Sequence, residues 1–362
     1  MSELFVYGYF CQMMDYIVVG LGLAGAAFCE TLRRNHKRFC VISDQSQTSS
    51  KVAAGLSNPV ILKRFNLAWK ANELVPLSKS FYEEMEEELG EKLLIDLPIL
   101  RKFSSIEEQN LWFEASDKDY LNRFLYPRLI RNTNEALNAP YDFGSLQGAY
   151  RLKTEAYLNG FQKKVLSPST FLQESFDHVS LKVMNDGVEY KGIRAKNVVF
   201  AEGYGIKHNP FFNYLPMQGS KGEYLIVESH QLQEQRAIKS SIFVIPIGKN
   251  LYLVGANYNS VDKDNIPSES TKRELLSKLE RIIKCPYQVV GHIAGVRPTV
   301  KDRRPLIGTH PIYKCLHVLN GFGSHGVMIA PWAATELFAS LETGASLEDE
   351  VSVARYQKLY YS

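Results

Sequence analysis

The chain reads as an α/β protein with an α+β insert, laid out as two interleaved domains instead of two consecutive ones. Two observations set this class. Near the N-terminus a short apolar strand runs into closely spaced glycines, then a helical pattern, then a second strand ending in an acid. Near the C-terminus a strand, a glycine loop and a helical pattern recur, while residues 223–257 between them alternate like an antiparallel sheet.

The first observation rests on Asp15-Tyr-Ile-Val-Val-Gly-Leu-Gly-Leu-Ala-Gly25. A glycine turn between strand and helix lets backbone approach a pyrophosphate, which then sits on unpaired N–H groups at the positive end of the helix. Residues 26–34 follow as helix and 38–43 as a second strand. Asp44, nineteen residues after Gly25 and with Gln45 beside it, falls where an acid takes the ribose hydroxyls of an adenine dinucleotide. The strand–turn–helix–strand–acid context separates this from a chance glycine turn.

A small-residue loop spans 45–58. Helical patterns follow at 67–90, 106–116 and 119–130, and strand signals at 93–103, 179–184, 188–194 and 197–202. Three apolar strands at 223–228, 241–247 and 251–257 precede a charged helix, 268–285, and a strand, 287–296. A strand at 315–320, the loop Gly321-Phe-Gly-Ser-His-Gly326 and a helix at 327–341 close the chain. This predicts a discontinuous dinucleotide domain of residues 15–66, 145–210 and 290–362, and a substrate domain of residues 67–144 and 211–289 with a mixed or antiparallel sheet.

Composition narrows the class. Of 362 residues, 45% are hydrophobic and 22% charged, which suits a soluble globular chain able to bury a large core. The net charge of +3 is small and both signs are mixed along the sequence, unlike a dedicated nucleic-acid binder. Five cysteines without a C-x-x-C argue against a disulfide framework or structural zinc, and fit a reducing cytoplasm. Residues 1–14 lack a basic n-region, so they read as an extra tail or an upstream start, not a signal peptide. No apolar run is long enough to span a membrane. No metal-spaced cluster, Walker loop or G-x-S-x-G elbow occurs.

Four other stretches have both a chemical and a plainer reading. Residues 49–59, with Ala54, Gly55 and Leu56, put small side chains where a ring system could lie against backbone; the alternative is a surface loop. Ala201-Glu-Gly203 follows a buried strand and either closes over a diphosphate chain or simply ends the strand. Arg297, held between Gly295-Val and Pro298, suits bidentate capture of a carboxylate, whereas Lys301, Arg303 and Arg304 read as a solvated basic face. Gly321 to Gly326 opens the last helix, so its amides suit an electron-rich oxygen or phosphate; His325 there is a donor or a general base.

Taken in order, these pieces resemble the D-amino-acid oxidase-like flavoenzymes, the amine and amino-acid oxidoreductases related to glycine oxidase and sarcosine oxidase. The resemblance covers nearly the whole chain from about residue 14. It implies a Rossmann-like FAD-binding domain and oxidation of a C–N bond by hydride transfer from carbon to flavin N5. It places Gly20, Gly22, Leu23, Ala24 and Gly25 at the pyrophosphate, and Asp44 and Gln45 at the adenosine. Ala54, Gly55, Leu56 and Gly295 fall by the flavin ring, Ala201 and Gly203 by the diphosphate. Gly321, Gly323, Ser324, His325, Gly326 and Val327 fall at the pyrimidine end. Arg297 matches the substrate-carboxylate arginine, and Phe243 and Tyr258 match pocket-wall positions. Ser324 stands where glycine oxidase offers a second arginine. No cysteine lies in residues 294–302, where sarcosine oxidases attach flavin, so non-covalent FAD is expected. A closer likeness is to the C-terminal oxidase domain of the bifunctional enzyme that makes methylaminomethyl uridine in tRNA. Against a tRNA partner stand the weak net charge and the missing methyltransferase half. A small-molecule amine is the favoured substrate; the alternative from another class is a non-catalytic flavin-binding redox sensor.

Overall fold

The computed structural model describes residues 13–361. Of the tail expected over residues 1–14, residues 1–12 lie outside the described residues, and Met14 already belongs to the first strand, Met14–Val19. That strand lies in a parallel run ordered Phe171–Leu172, Phe39–Ile42, Met14–Val19, Ile193–Phe200, Leu316–Asn320. Its side chains divide with period two. Tyr16 and Val18 join the cluster beneath the helices, and Ile17 and Val19 the cluster on the opposite face. Burial on both faces is why Tyr16 to Val19 are apolar or aromatic without a break.

Helices Leu23–Arg34, Ala71–Leu89 and Gly326–Thr343 pack together over one face. Ala71–Leu89 buries Leu74, Val75, Ser78, Tyr82, Met85 and Leu89, a stripe at helical spacing, and ends at Gly90 in the left-handed region, φ 57°. The N-terminal and C-terminal helices are in direct contact, so the parallel sheet is covered only when the end of the chain returns to its start.

A second eight-stranded sheet runs Gln288–Arg297, Ser220–Glu228, Leu251–Gly255, Phe243–Gly248, Ala237–Lys239, Ile99–Lys102, Phe143–Leu146, Leu125–Ile130. It is antiparallel except where Ala237–Lys239 meets Ile99–Lys102. Several expected elements differ. Residues 119–130 form a turn and the edge strand Leu125–Ile130, not a helix. Pro127 would break a helix, and an edge position spares it a ladder partner. Residues 188–194 form a hairpin turning at Lys191 and Gly192, with φ of 44° and 86°, instead of one strand. Residues 93–103 split into Leu94–Asp96 and Ile99–Lys102, with Pro98 between them. The helix expected to reach residue 285 stops at Leu279; Ser268 caps its start by accepting the Thr271 amide.

Two placements cut across the expected domain boundaries. Helix Ala71–Leu89 packs with the parallel sheet's helices, and strand Gln288–Arg297 spans position 290 to pair along Ser220–Glu228. Among the described residues no helix is long and apolar enough to cross a membrane, and no cluster of His, Cys, Asp and Glu could hold a metal ion.

Candidate active-site cleft

A cleft of about 1410 Å³ separates the two sheets. Small-molecule pockets are commonly about 300–1,000 Å³, so this one has room for an extended dinucleotide together with a substrate. Both glycine loops open into it, and they touch: a Cβ on Gly326 would meet Leu23 Cδ1 at 3.3 Å.

At the N-terminal loop, Gly20 takes φ +99°, and a Cβ there would lie 2.6 Å from the Ala201 carbonyl oxygen. Gly20, Gly22, Leu23 and Ala24 line the cleft. Gly25, expected at the pyrophosphate, is not on the lining. It lies behind the turn, where a Cβ would sit 2.0 Å from the Gly20 carbonyl oxygen, so its role is to let the helix close on the strand. Gly22 caps the helix without a side-chain bond, and the Leu23 amide donates to Ser50 Oγ at 3.1 Å. Neither this helix nor Gly326–Thr343 has an acidic residue in its first turn. Two positive helix ends therefore face the cleft without a fixed counter-charge of their own.

Asp44 stands at the end of the second strand on the cleft wall, accepting from the Ser46 amide at 2.9 Å and from Ser175 Oγ at 2.6 Å. Burial pushes its carboxyl up, but these hydrogen bonds outweigh that and hold it below the usual carboxylate range. Gln45 lines the cleft beside it with its amide bonded to Gln162. Loop residues Ala54, Gly55 and Leu56 form the adjoining wall. Gly55 takes φ +74°, and a Cβ there would be 1.8 Å from the Leu152 carbonyl oxygen. The loop also rests on Gly295, where a Cβ would strike Val52 Cγ2 at 2.6 Å.

Ala201 and Gly203 line the cleft where strand Ile193–Phe200 ends. Asn320 Nδ2 donates to the Gly203 carbonyl at 2.9 Å and joins this strand end to the C-terminal loop. Glu202 is no free anion beside a phosphate: Oε2 accepts from Asn209 at 2.7 Å, and His178 Nε2 lies 3.1 Å from Oε1. Gly321 (φ +82°), Gly323 (φ +55°), Ser324, His325, Gly326 and Val327 form the opposite bank. The Gly323 amide donates to the Pro298 carbonyl at 3.1 Å, tying this loop to the residue after Arg297. Burial lowers the His325 imidazole pKa, which favours the neutral ring.

The antiparallel sheet supplies the facing wall with Tyr224, Phe243, Ile245 and Arg297. Arg297 Nη1 donates to the Asn257 carbonyl at 3.3 Å, and the guanidinium lies 4.6 Å from the Tyr258 ring centroid. It occupies the space over Gly222, where a Cβ would be 2.0 Å from Nη2. Among the described residues no carboxylate pairs with Arg297. Tyr258 is 73% exposed, so it borders the mouth of the cleft.

A family model for FAD-dependent oxidoreductases (DAO) matches residues 15–340. The chain belongs to this family. It is 21% identical to glycine oxidase of Bacillus subtilis (strain 168) over 342 residues, 88% of this chain and 90% of that protein. It is 26% identical over 165 residues to the tRNA 5-methylaminomethyl-2-thiouridine biosynthesis bifunctional protein MnmC of Azoarcus sp. (strain BH72). That match covers 40% of this chain and only 26% of the bifunctional relative. The fold is that of glycine oxidase from Geobacillus kaustophilus, with a TM-score of 0.76 at 18% identity over 95% of this chain and 98% of that one. FAD is the cofactor of this oxidoreductase, and the residues present fit it. Glycines whose Cβ atoms would collide with backbone, two uncompensated helix ends and the anchored Asp44 form a continuous cradle.

Sequence patterns missed several residues on or beside this site. Ser50 caps Leu23, Asn257 supports Arg297, Asn320 bridges the strand ends, and Lys239 lines the far end of the cleft. Each depends on partners distant in sequence, so none carries a local signal.

Proposed function

We propose that this oxidoreductase oxidises the C–N bond of an amine bearing a carboxylate, an N-substituted amino acid. The observation that carries this reading is Arg297, a guanidinium on the cleft wall with no carboxylate partner among the described residues. Its planar fork suits bidentate carboxylate binding, and the Asn257 carbonyl and Tyr258 ring restrict its orientation. Bound FAD supplies the acceptor for two electrons and a hydrogen, taken as hydride from the carbon next to nitrogen.

The substrate then becomes an imine, its nitrogen proton passing to water, and addition of water splits it into an amine and a carbonyl compound. The protein's share is chiefly alignment. Arg297 fixes the carboxylate, Phe243 and Tyr224 wall the reacting carbon, and the amides of Ser324, Gly326 and Val327, with neutral His325, would stabilise negative charge on a bound flavin. Non-covalent attachment is supported by the absence of cysteine from the cleft lining among the described residues.

The test is anaerobic bleaching of the purified yellow protein by a panel of N-substituted glycines. Reduction by carboxylated amines, and much slower reduction by their decarboxylated counterparts, is the expected result. A flavin that no carboxylated amine reduces would sink the reading. A second reading, oxidation of a carboxymethylaminomethyl-type uridine in tRNA, is supported by the similarity to MnmC. Lys63, Arg64, Lys301 and Arg303 on the cleft lining offer sites for phosphates. An unaltered wobble-uridine profile by mass spectrometry in a deletion strain excludes it.

A further inference from the structure

One charged group at the far end of the cleft has no part in the chemistry above. Lys239 ends strand Ala237–Lys239 and lines the cleft with its ammonium 4.6 Å from the Phe243 ring centroid. The ammonium donates to the Ser241 carbonyl at 3.3 Å, and among the described residues no carboxylate lies within ion-pair distance. Its neighbours are cations. Burial first, then the like charges of Arg101, Lys278 and Lys63, push its ammonium down to about 8. Arg101 and Lys278 have their own carboxylates, Glu108 and Glu274, so among the described residues Lys239 is left uncompensated together with Lys63.

Register fixes where this charge stands relative to Arg297. Lys239 pairs with Phe243, Phe243 with Gly255, and Gly255 with Tyr224, so their side-chain positions form one row on one face. Gly222, over which the Arg297 guanidinium lies, is two residues from Tyr224 on that face. Strands are about 4.8 Å apart, so the Lys239 and Tyr224 strands are separated by about 14 Å. The ammonium leans over Phe243, two strands across and two residues along from Gly222, so the two cationic centres are separated by about 12 Å. Phe243, Ile245 and Tyr224 form the wall between them. A long concave surface with an unpaired cation at each end and apolar side chains between complements a substrate acidic at both ends.

We propose that the substrate carries a second acid group, carboxylate or phosphate, and that Lys239, about 12 Å from the Arg297 guanidinium, is its subsite. The substrate class is therefore an N-substituted amino acid whose nitrogen substituent is a flat or apolar spacer ending in an anion. This deepens the amine-oxidation reading and rests on it for the orientation of the substrate.

The experiment separates binding from turnover by using thioether acids, which have no C–N bond to oxidise. The visible spectrum of the flavin-loaded enzyme is titrated with (benzylthio)acetate and with (4-carboxybenzylthio)acetate. The diacid is expected to bind about 10- to 100-fold more tightly, as for a charge-assisted hydrogen bond. That ratio is expected to fall to about one in Lys239→Gln and to persist in Lys239→Arg, with an unchanged flavin spectrum reporting the fold. Equal affinity for the two acids in the wild type, or a ratio undiminished in Lys239→Gln, overturns the proposal. A phosphonate in place of the ring carboxylate decides the acid: the tighter of the two identifies it. The corresponding amines, tested for flavin bleaching, examine the oxidation reading separately.

Discussion

The two glycine loops meet at the cleft, but their glycines are required for different reasons. At the N-terminal loop the obstacle is backbone: a Cβ on Gly25 or Gly20 would lie 2.0 or 2.6 Å from a carbonyl oxygen that belongs to a strand end. Such atoms cannot move without moving the sheet. At the C-terminal loop the obstacle is conformation or a movable side chain. Gly323 takes φ +55° with nothing closer than Thr299 Oγ1 at 4.0 Å, and Gly326 meets the Leu23 methyl at 3.3 Å and Phe322 Cβ at 4.0 Å; Gly321, φ +82°, is the closely packed exception, with Val300 Cγ2 at 2.7 Å. One loop is fixed by close packing, the other by its dihedrals and by the Gly323–Pro298 and Asn320–Gly203 hydrogen bonds.

The largest expected effect tests that contrast directly. Gly25→Ala should cost about 3 kcal/mol or more through overpacking against immovable backbone, and the protein should purify with little flavin and a lowered Tm. An alanine variant that stays yellow with an unchanged Tm would remove the contrast. Arg297→Ala, on the bank that the C-terminal loop is tied to, should lower kcat/KM for carboxylated amines by about 100-fold, chiefly through KM. An equal loss with amines lacking the carboxylate would mean that Arg297 holds the loop and not the substrate.

Acid should act on the C-terminal side alone. Burial pushes His310 down to about 4 and His317 down to about 3; both lie on the hairpin that leads into the C-terminal loop. The Ile312 and Tyr313 amides both donate to His310 Nδ1, which can accept them only in the neutral ring. Because the folded pKa values lie below the ordinary histidine value, the unfolded chain binds protons first. Stability is therefore complete above about pH 6.5 and falls as pH drops below it, by about 2 kcal/mol per histidine at pH 5. Hydrogen exchange, corrected for intrinsic rates, should accelerate between pH 7 and 5 at residues 306–323 more than at 14–25. Equal acceleration at both would place the acid sensitivity elsewhere. The smallest effect is expected at Gly326→Ala, within about 0.5 kcal/mol by thermal unfolding, since the Leu23 methyl can rotate away.

Legibility in the sequence followed how local each determinant is. The strand–glycine–helix unit at residues 14–34 was readable because its parts touch their immediate neighbours, and the same holds for Leu316–Asn320 and its loop. Residues 119–130 misled because leucines at helical spacing outweighed Pro127, whereas the edge of the sheet accepts it. Spacing alone does not reveal that a Cβ on Gly25 would strike the Gly20 carbonyl behind the turn. Lys239 could not be seen at all. A lysine before two serines has no pattern, and its meaning comes from a row of four strands drawn from residues 220 to 255.

The order of apolar runs, glycines and helical stripes determined the class of fold and the kind of cofactor, since short-range sterics and periodicity act within a few residues. Only the folded chain decided which glycines line the cleft and which press on backbone, how Arg297 is oriented, and that Lys239 lies across the sheet from it without a carboxylate partner. Those facts depend on register and on burial, through which distant segments remove water from a charge or deny it a partner.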